Sequence, residues 1–159
     1  MKVGRVTCSD RAAAGVYADL SGPEIETVIT QLWGSPVEFV PRLSPDEQPQ
    51  IEAALRDLAD VERCPLILTT GGTGPSARDV TPEATRAVIA KELPGFGEAM
   101  RASSFPDVPT AILSRATAGI RGRSLLINLP GRPAAIGECL PPLLPAIREA
   151  LRHLAEGVD

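Results

Sequence analysis

Hydrophobic positions along the chain switch between two spacings, and this switching predicts strands and helices in turn. Short apolar runs of strand length occupy Lys2–Cys8, Pro36–Leu43, Leu66–Thr70 and Ser124–Leu129. Such compact apolar runs are typical of strands in a sheet that is covered on both faces.

Apolar residues three and four positions apart predict helices after these strands. The predicted helices cover Pro23–Trp33, Gln48–Val61, a segment that begins at Thr81, Pro94–Arg101 and Leu143–Leu154. Thr81 is predicted to cap its helix, with Pro82 at the first helical position. Several prolines are interpreted as loop punctuation; they are Pro94, Pro106, Pro109, Pro141 and Pro142.

Alternating strands and helices predict a three-layer α/β/α fold with a mostly parallel sheet. The 159 residues fit one domain, and we expect residues 1–159 to form it. No repeat, low-complexity stretch or linker interrupts the pattern.

Composition narrows the functional classes. A net charge of −4 and few aromatic residues argue against a nucleic-acid surface. No apolar run is long enough to span a bilayer, and the first residues lack a signal segment, so we expect a cytoplasmic protein without membrane contact. Three scattered cysteines indicate buried thiols rather than a disulfide framework, and no Cys/His cluster has zinc spacing.

Three loops that follow predicted strands carry glycine and charge. They are "SDRAAAGVYADLSG" at 9–22, "GGTGPSARDVTP" at 71–82 and "PGRP" at 130–133. Ligands of open α/β sheets bind beyond the carboxyl ends of the strands. We therefore expect these loops to form one polar site that accepts phosphates, joined by the "SPDE" turn at 44–47.

The glycine loop can be interpreted in two ways. Successive amide groups of a glycine-rich turn can point inward and hold an anion. The lysine and the Ser/Thr of a Walker A loop do not follow Gly74, and a GxGxxG pattern is missing. The alternative is a turn that only connects a strand to a helix. The adjoining Arg78 and Asp79 favour a binding loop, because a simple turn does not need an ion pair there.

Two aspartates precede helices, and each has an ordinary explanation. Asp46 and Asp79 could hold magnesium near nucleotide phosphates. A carboxylate close to a helix N-terminus can also be a cap, and this alternative is stronger for Asp46 because Thr81 is the predicted cap of the later helix. Asp10 could be a turn residue, and Arg11 with Arg78 could be solvated surface charges.

The remaining reactive side chains limit the chemistry. His153 is the single histidine and falls on the last predicted helix, where it should be exposed. A Ser-His-Asp or Cys-His mechanism is therefore disfavoured. Cys8 follows the first strand and is best explained as buried packing. Carboxylates, arginines and glycine amides without a base suit phosphoryl or nucleotidyl transfer, which depends on positioning and charge neutralisation.

Long motifs give a more specific indication. "TTGGTGPSARDVTPEAT", "SDRAAAGVYADLSG", "PGFGEAMR", "AILSRATAGIRG" and "LINLPGRPAAIGECL" resemble the MogA/MoaB family of molybdenum cofactor biosynthesis, from about Val3 to Leu154. The similarity is greatest to its adenylyltransferase branch, which is related to the G domains of a plant protein and of gephyrin. It implies a trimeric three-layer α/β enzyme that transfers AMP from ATP to the terminal phosphate of molybdopterin, with magnesium, releasing pyrophosphate.

The resemblance also implies site residues. Asp46 and Asp79 match the catalytic pair of the family, and we expect them to bind Mg²⁺ and to align the α-phosphate. The nucleotide is expected at Gly71, Gly72, Thr73 and Gly74, with Pro130 and Gly131 on the adenine side. The expected contacts to the pterin and its phosphate are Ser9, Asp10, Arg11, Arg78, Ser114 and Arg115. The chain has no second domain like that of MoeA, so a MoeA-like partner is expected to insert the metal.

Two alternatives remain open. A related domain in CinA-type proteins shares the fold and processes nucleotides by hydrolysis. The chain could also be a MoaB-like paralogue that holds molybdopterin without adenylating it, although the presence of both aspartates argues against this alternative.

Overall fold

The computed structural model describes residues 1–157 as a three-layer α/β/α domain, so the predicted fold class is confirmed. Its strands are β1 (Lys2–Cys8), β2 (Glu38–Ser44), β3 (Leu66–Thr70), β4 (Lys91–Glu92), β5 (Ala118–Arg121) and β6 (Ser124–Leu129). Its helices are α1 (Asp10–Ala13), α2 (Ser21–Trp33), α3 (Gln48–Arg56), α4 (Thr81–Val88), α5 (Gly95–Ser104) and α6 (Pro133–Glu156). A π-helical turn (Asp57–Val61) extends α3, and a 3₁₀ helix (Pro109–Leu113) precedes β5.

The sheet has the order β2-β1-β3-β6-β5-β4. Its first four strands are parallel, whereas β5 and β4 pair antiparallel beside β6. A parallel pair needs a crossover, and α2, α3 and α4 begin the crossover connections here. The carboxyl ends of β1, β2, β3 and β6 therefore meet at one edge of the sheet, which is where the predicted loops emerge.

Two apolar cores lie on opposite faces of the sheet. Side chains of β3 and β6 alternate between them: Leu66 and Leu68 face one core, and Ile67 faces the other. The first core packs against α2, α5 and α6, and the second packs against α3 and α4. This double coverage explains why β3 and β6 are buried at every position.

The last helix differs most from the sequence prediction. It was predicted at Leu143–Leu154, but α6 begins ten residues earlier, at Pro133, and it contains Pro141, Pro142 and Pro145. The interpretation of Pro141 and Pro142 as loop residues is therefore wrong. Both prolines are exposed, so the backbone carbonyls that lose their helical partners can be hydrated.

Smaller differences concern element ends and short elements. The structure begins α2 two residues before the predicted start and shifts β2 from Pro36–Leu43 to Glu38–Ser44. The short strands β4 and β5 have no counterpart in the prediction. Within residues 1–157, none of the helices combines the length and apolar character that a membrane span needs.

Candidate active site

The loops after β1 and β2 are joined by direct backbone contacts at the carboxyl edge. The amide of Ser9 donates to the carbonyl of Ser44 at 2.9 Å. Beyond this contact, the amide of Asp10 donates to Asp46 Oδ2 at 3.0 Å, and the amide of Asp46 donates to Asp10 Oδ1 at 2.9 Å. Each aspartate thus holds the other's backbone, and the turn at 44–47 contacts the first loop, as the sequence predicted.

Arg78 connects the glycine loop to this pair. Its guanidinium donates to both carboxylate oxygens of Asp10, at 3.0 and 2.8 Å, and lies 2.9 Å from Glu47 Oε1. The ion pair that the sequence suggested between Arg78 and Asp79 is therefore wrong, because the side chain crosses to the first loop. The Arg78 hydrogen bonds and, to a lesser extent, the Asp46 amide lower the pKa of the Asp10 carboxyl.

Asp46 occupies a less favourable position for a charge. Its Oδ2 accepts the Asp10 amide, but its Oδ1 is buried and has no hydrogen-bond partner within residues 1–157. Burial raises the pKa of the Asp46 carboxyl, and the charges of Asp10 and Asp79 add to this effect. The residue at the N-cap of α3 is Glu47, and Asp46 bonds across to another loop, so the helix-cap interpretation of Asp46 is wrong.

The glycine loop approaches two neighbouring segments too closely for side chains. Gly71 and Gly72 have φ values of +91° and +66°. A Cβ on Gly71 would lie 2.4 Å from the carbonyl oxygen of Cys8, and one on Gly72 would lie 2.3 Å from Thr81 Oγ1. The two glycines therefore permit both the backbone conformation and the contact with β1 and α4.

Asp79 is held by the turn to which it belongs and by Arg115. Its Oδ2 accepts the amide of Ser76 at 3.0 Å. Arg115 donates to the carbonyl oxygens of Gly74 at 2.9 Å and of Asp79 at 2.7 Å, and it forms an ion pair with Glu83. Arg115 was predicted to contact the pterin or its phosphate. The structure shows it fixing both ends of the loop from Gly74 to Asp79, and a substrate contact stays a prediction.

The third loop closes the site on the other side. The hydroxyl of Thr70 donates to the carbonyl of Pro130 at 2.7 Å, and that of Ser21 donates to the carbonyl of Gly131 at 2.8 Å. A Cβ on Gly131 would lie 3.3 Å from the Cα of Gly71, so the two glycine-containing loops are in contact. The predicted nucleotide-binding positions are thus brought together.

A cavity of about 160 Å³ opens beside Pro130, between α5, the 3₁₀ helix and the start of α6. Ser114 lines this cavity, as do Arg101 and Arg132. The Ser114 hydroxyl accepts the amide of Ala116 at 3.3 Å. The cavity thus lies next to the glycine-containing loops, and its lining combines apolar side chains with two arginines.

The remaining predicted contacts lie at the outer margin. The Ser9 hydroxyl caps α1 by accepting the amide of Ala12 at 3.2 Å, and it lies 2.8 Å from the hydroxyl of Tyr17. Arg11 is exposed and lies over the Tyr17 ring, 5.3 Å from its centroid. Neither side chain reaches the two aspartates through a hydrogen bond of the described chain.

Thr81 is the site residue that the sequence analysis misjudged. The N-cap of α4 is Val80, so the prediction of Thr81 as the cap is wrong. Its hydroxyl is fully buried and makes no well-formed hydrogen bond within residues 1–157. Thr81 instead faces Gly72 and the neighbouring Cys8. The contact between Thr81 and Gly72 depends on the fold. The Thr81–Pro82 helix start close behind the glycine loop is the single sequence signal that could have suggested it.

The other reactive side chains lie where the sequence predicted. Burial raises the pKa of the Cys8 thiol to about 12, against a smaller lowering by the Thr81 hydroxyl, so the thiol is inert packing at neutral pH. All three cysteines are free and buried. His153 is exposed on α6 and lies 3.0 Å from Glu149.

The carboxylates fit a magnesium ion that also binds phosphate. Within the described chain, no group of three or more His, Cys, Asp or Glu side chains could enclose a metal ion alone. Mg²⁺ commonly binds one or two carboxylates and completes its shell with water and substrate phosphates. The charge of Asp79 contributes to raising the pKa of the Asp46 carboxyl, and a divalent cation would relieve this repulsion.

Comparison with known proteins identifies the family. The family described as probable molybdopterin-binding domains matches residues 4–149. Molybdopterin adenylyltransferase of Helicobacter pylori J99 is 53% identical over 145 residues, which cover 91% of this chain and 82% of that protein. The Escherichia coli K12 protein of the same name is 52% identical over 140 residues, covering 88% and 72%.

A solved structure gives the same result for the fold. The molybdopterin biosynthesis enzyme MoaB from Thermus thermophilus superposes with a TM-score of 0.88 at 43% identity, covering 98% of this chain and 96% of that one. The chain belongs to the probable molybdopterin-binding domain family, and the family resemblance found in its sequence motifs is confirmed.

Proposed function

We propose that the protein transfers AMP from ATP to the terminal phosphate of molybdopterin, with Mg²⁺, and releases pyrophosphate. The observation that carries this proposal is that Asp46 and Asp79 both border the glycine loop at the carboxyl edge of the sheet, Asp46 beside Gly72 and Asp79 beside Gly74. Relatives named molybdopterin adenylyltransferase are about half identical to this chain over most of its length. They confirm the prediction of an enzyme of the nucleotidyltransferase class.

The chain's own groups have separate tasks in this proposal. Amides of the loop Gly71–Gly74 hold nucleotide phosphates, since successive amides of a glycine-rich turn with positive φ values can point to one anion. Asp46 and Asp79 hold Mg²⁺, which supplies neutralisation of phosphate charge. Arg115 fixes the backbone of Gly74 and Asp79, so the carboxylate does not need to be ordered when substrate binds.

The other expected contacts complete the substrate site. The ion pair of Arg78 with Asp10 borders the substrate site on the side of the first loop. Pro130 and Gly131 border it on the opposite side, where the adenine binds. The cavity lined by Ser114 is large enough to receive part of a ring system. Ser9 and Arg11 contact the outer part of the pterin substrate. No base is required, because the attacking group is already a phosphate.

Assembly and handover form a separate part of the proposal. A groove of about 400 Å³ is lined mostly by apolar residues of the β4–α5 region and of α6. Its apolar lining supports association between copies, and the homotrimer itself is proposed from the family resemblance. The product would pass to a MoeA-like metal-insertion partner, in the cytoplasm where buried free thiols are stable. Light scattering of the purified chain would test the trimer directly.

The decisive experiment mixes the purified protein with molybdopterin, ATP and Mg²⁺ and follows pyrophosphate and an AMP-bearing pterin. We expect both products only when all three components are present. Asp79→Asn should slow the formation of both by about 10²- to 10³-fold, whereas Asp107→Asn, which changes an exposed aspartate after α5, should not. Pterin binding without product would identify a binding paralogue, and nucleotide hydrolysis without pterin would identify a CinA-like hydrolase.

A further inference from the structure

Two buried oxygen atoms beside Gly72 lack partners, although polar atoms in a protein interior are nearly always hydrogen-bonded. They are Asp46 Oδ1 and Thr81 Oγ1, and they are the only such side-chain atoms among residues 1–157. Leaving both unpaired would cost the full desolvation of each group. Their joint occurrence at one place therefore needs an explanation.

The position of Gly72 shows that the two atoms are neighbours. A Cβ built on this glycine would lie 2.3 Å from Thr81 Oγ1 and 3.1 Å from Asp46 Oδ1. Both oxygens thus border the same small volume under the glycine loop. A hydroxyl can donate its proton, and an ionised carboxylate oxygen is an acceptor, so the two atoms are chemically complementary. A small rotation or one bridging water would join them.

The groups around Asp46 Oδ1 do not compete with Thr81 as donors to this oxygen. The other carboxylate oxygen of Asp46 already accepts the Asp10 amide. Arg78 donates to Asp10 and Glu47 rather than to Asp46. The Cys8 thiol next to Thr81 is a weak donor and a poor acceptor, so it does not compete for the hydroxyl proton.

We propose that Thr81 is a positioning residue for adenylyl transfer: its hydroxyl donates to Asp46 Oδ1 and fixes the rotation of that carboxylate beneath Gly72. This proposal rests on the function proposed above, because Asp46 matters for the reaction only if the chain transfers AMP. It also explains why position 72 needs glycine for space as well as for its positive φ.

The Asp10 amide provides a readout that needs no substrate. It is the first amide of α1, so the helix itself offers no acceptor, and its bond to Asp46 Oδ2 at 3.0 Å is its protection from solvent exchange. If Thr81 no longer holds Oδ1, the carboxylate of Asp46 can rotate and release this amide. Exchange of the Asp10 amide should then become faster without a change in global stability.

The test compares Thr81→Val, Thr81→Ser and Val88→Ala by amide exchange in the metal-free protein and by steady-state kinetics. Thr81→Val keeps the shape but removes the hydroxyl, and it should speed exchange at Asp10 and lower kcat, each by about tenfold. Thr81→Ser should restore both. Val88→Ala truncates a core residue of the same helix and should affect stability alone.

The outcomes separate this proposal from the proposed function. Unchanged exchange at Asp10 in Thr81→Val, failure of Thr81→Ser to restore it, or an equal effect of Val88→Ala would each overturn the positioning role. Faster exchange in Thr81→Val, restored by serine, in a protein that makes no adenylated pterin would leave the Thr81–Asp46 bond intact and would overturn the proposed function instead.

Discussion

The two aspartates of the site are held in different ways. Asp46 is fixed across the fold, because its partner amide belongs to Asp10 in another loop. Asp79 is fixed locally, by the amide of Ser76 three residues earlier and by Arg115 on its own carbonyl. Asp46 is half-buried and has an unpartnered oxygen within residues 1–157, whereas Asp79 lies in a largely exposed loop. The pair therefore combines a carboxylate set by tertiary structure with one set by a turn.

Removing the charge of either aspartate should have the largest effect on activity. We expect Asp46→Asn and Asp79→Asn each to lower kcat by about 10²- to 10³-fold, because both act on charge that develops on phosphate. The double variant should be little slower than either single variant, since groups that act as a unit are not additive. Single-turnover rates with saturating Mg²⁺ measure this. Multiplicative losses would show that the two carboxylates act in separate steps.

Adding a methyl group to the loop should affect both aspartates at once. Gly72→Ala puts a Cβ within 2.3 Å of Thr81 Oγ1 at a positive φ, so we expect about 3 kcal/mol of destabilisation and nearly complete loss of activity.

Gly122→Ala is the matched control for this substitution. Its φ is +55°, but the space around its Cβ is open, so it should cost only about 1–2 kcal/mol and leave kcat unchanged. Urea unfolding and the pyrophosphate assay distinguish the two. Equal destabilisation would mean that the backbone conformation alone requires glycine at position 72.

Removing the Arg115 guanidinium should affect the Asp79 side selectively. Arg115→Met loses the bonds to the carbonyls of Gly74 and Asp79, so we expect kcat to fall about tenfold as the loop loosens. Arg121→Met is a close control, because Arg121 also pairs with a carboxylate, Asp60, and a carbonyl, Val88, but on the far strand β5. It should lower the melting temperature only. Similar kinetic losses in both variants would argue against a role of Arg115 in the site.

The smallest expected effect concerns stability and pH. The raised pKa of Asp46 means that its charged form is disfavoured in the folded protein, so its stabilising contribution is present in acid and is lost as pH rises through the folded pKa. In metal-free protein at neutral pH, Asp46→Asn should thus melt slightly higher than the parent. The gain should disappear near pH 4, which is about the ordinary pKa of an aspartate.

Asp10→Asn should show the opposite sign. Its lowered pKa gives stability above the unfolded pKa that is lost as pH falls through the folded value, so the variant should melt slightly lower at neutral pH. Thermal scans in chelator from acid to neutral pH test both variants. A lower melting temperature for Asp46→Asn at neutral pH would contradict burial as the dominant influence on this carboxyl.

Much of the fold could be predicted because the local pattern and the burial agree. The bounds of β1, β3 and β6 match the apolar runs, and α3 with its π turn covers the predicted helix. The start of α6 was missed because Pro141 and Pro142 contradict helix propensity there. Packing decides the outcome, since Ile136, Cys139 and Leu140 of this missed segment are buried in the core.

The site was predictable in its parts but not in its contacts. Glycine pattern and charge identified the loops, and family motifs identified the two aspartates. The partner of Arg78 and the burial of the Thr81 hydroxyl depend on segments that are distant in the chain. Local rules gave an ion pair in one case and a helix cap in the other, and tertiary contacts replaced both.

The outer strands of the sheet restrict how copies of the domain can associate. At one edge, β2 contains Pro41, which has no N–H to offer, and proline in an edge strand discourages further pairing. At the other edge, β4 has only two residues, Lys91 and Glu92, and both are exposed and charged. Neither border can accept an additional strand readily. Growth into a continuous intermolecular sheet is therefore disfavoured at both ends, and any association of copies is expected through helices or loops.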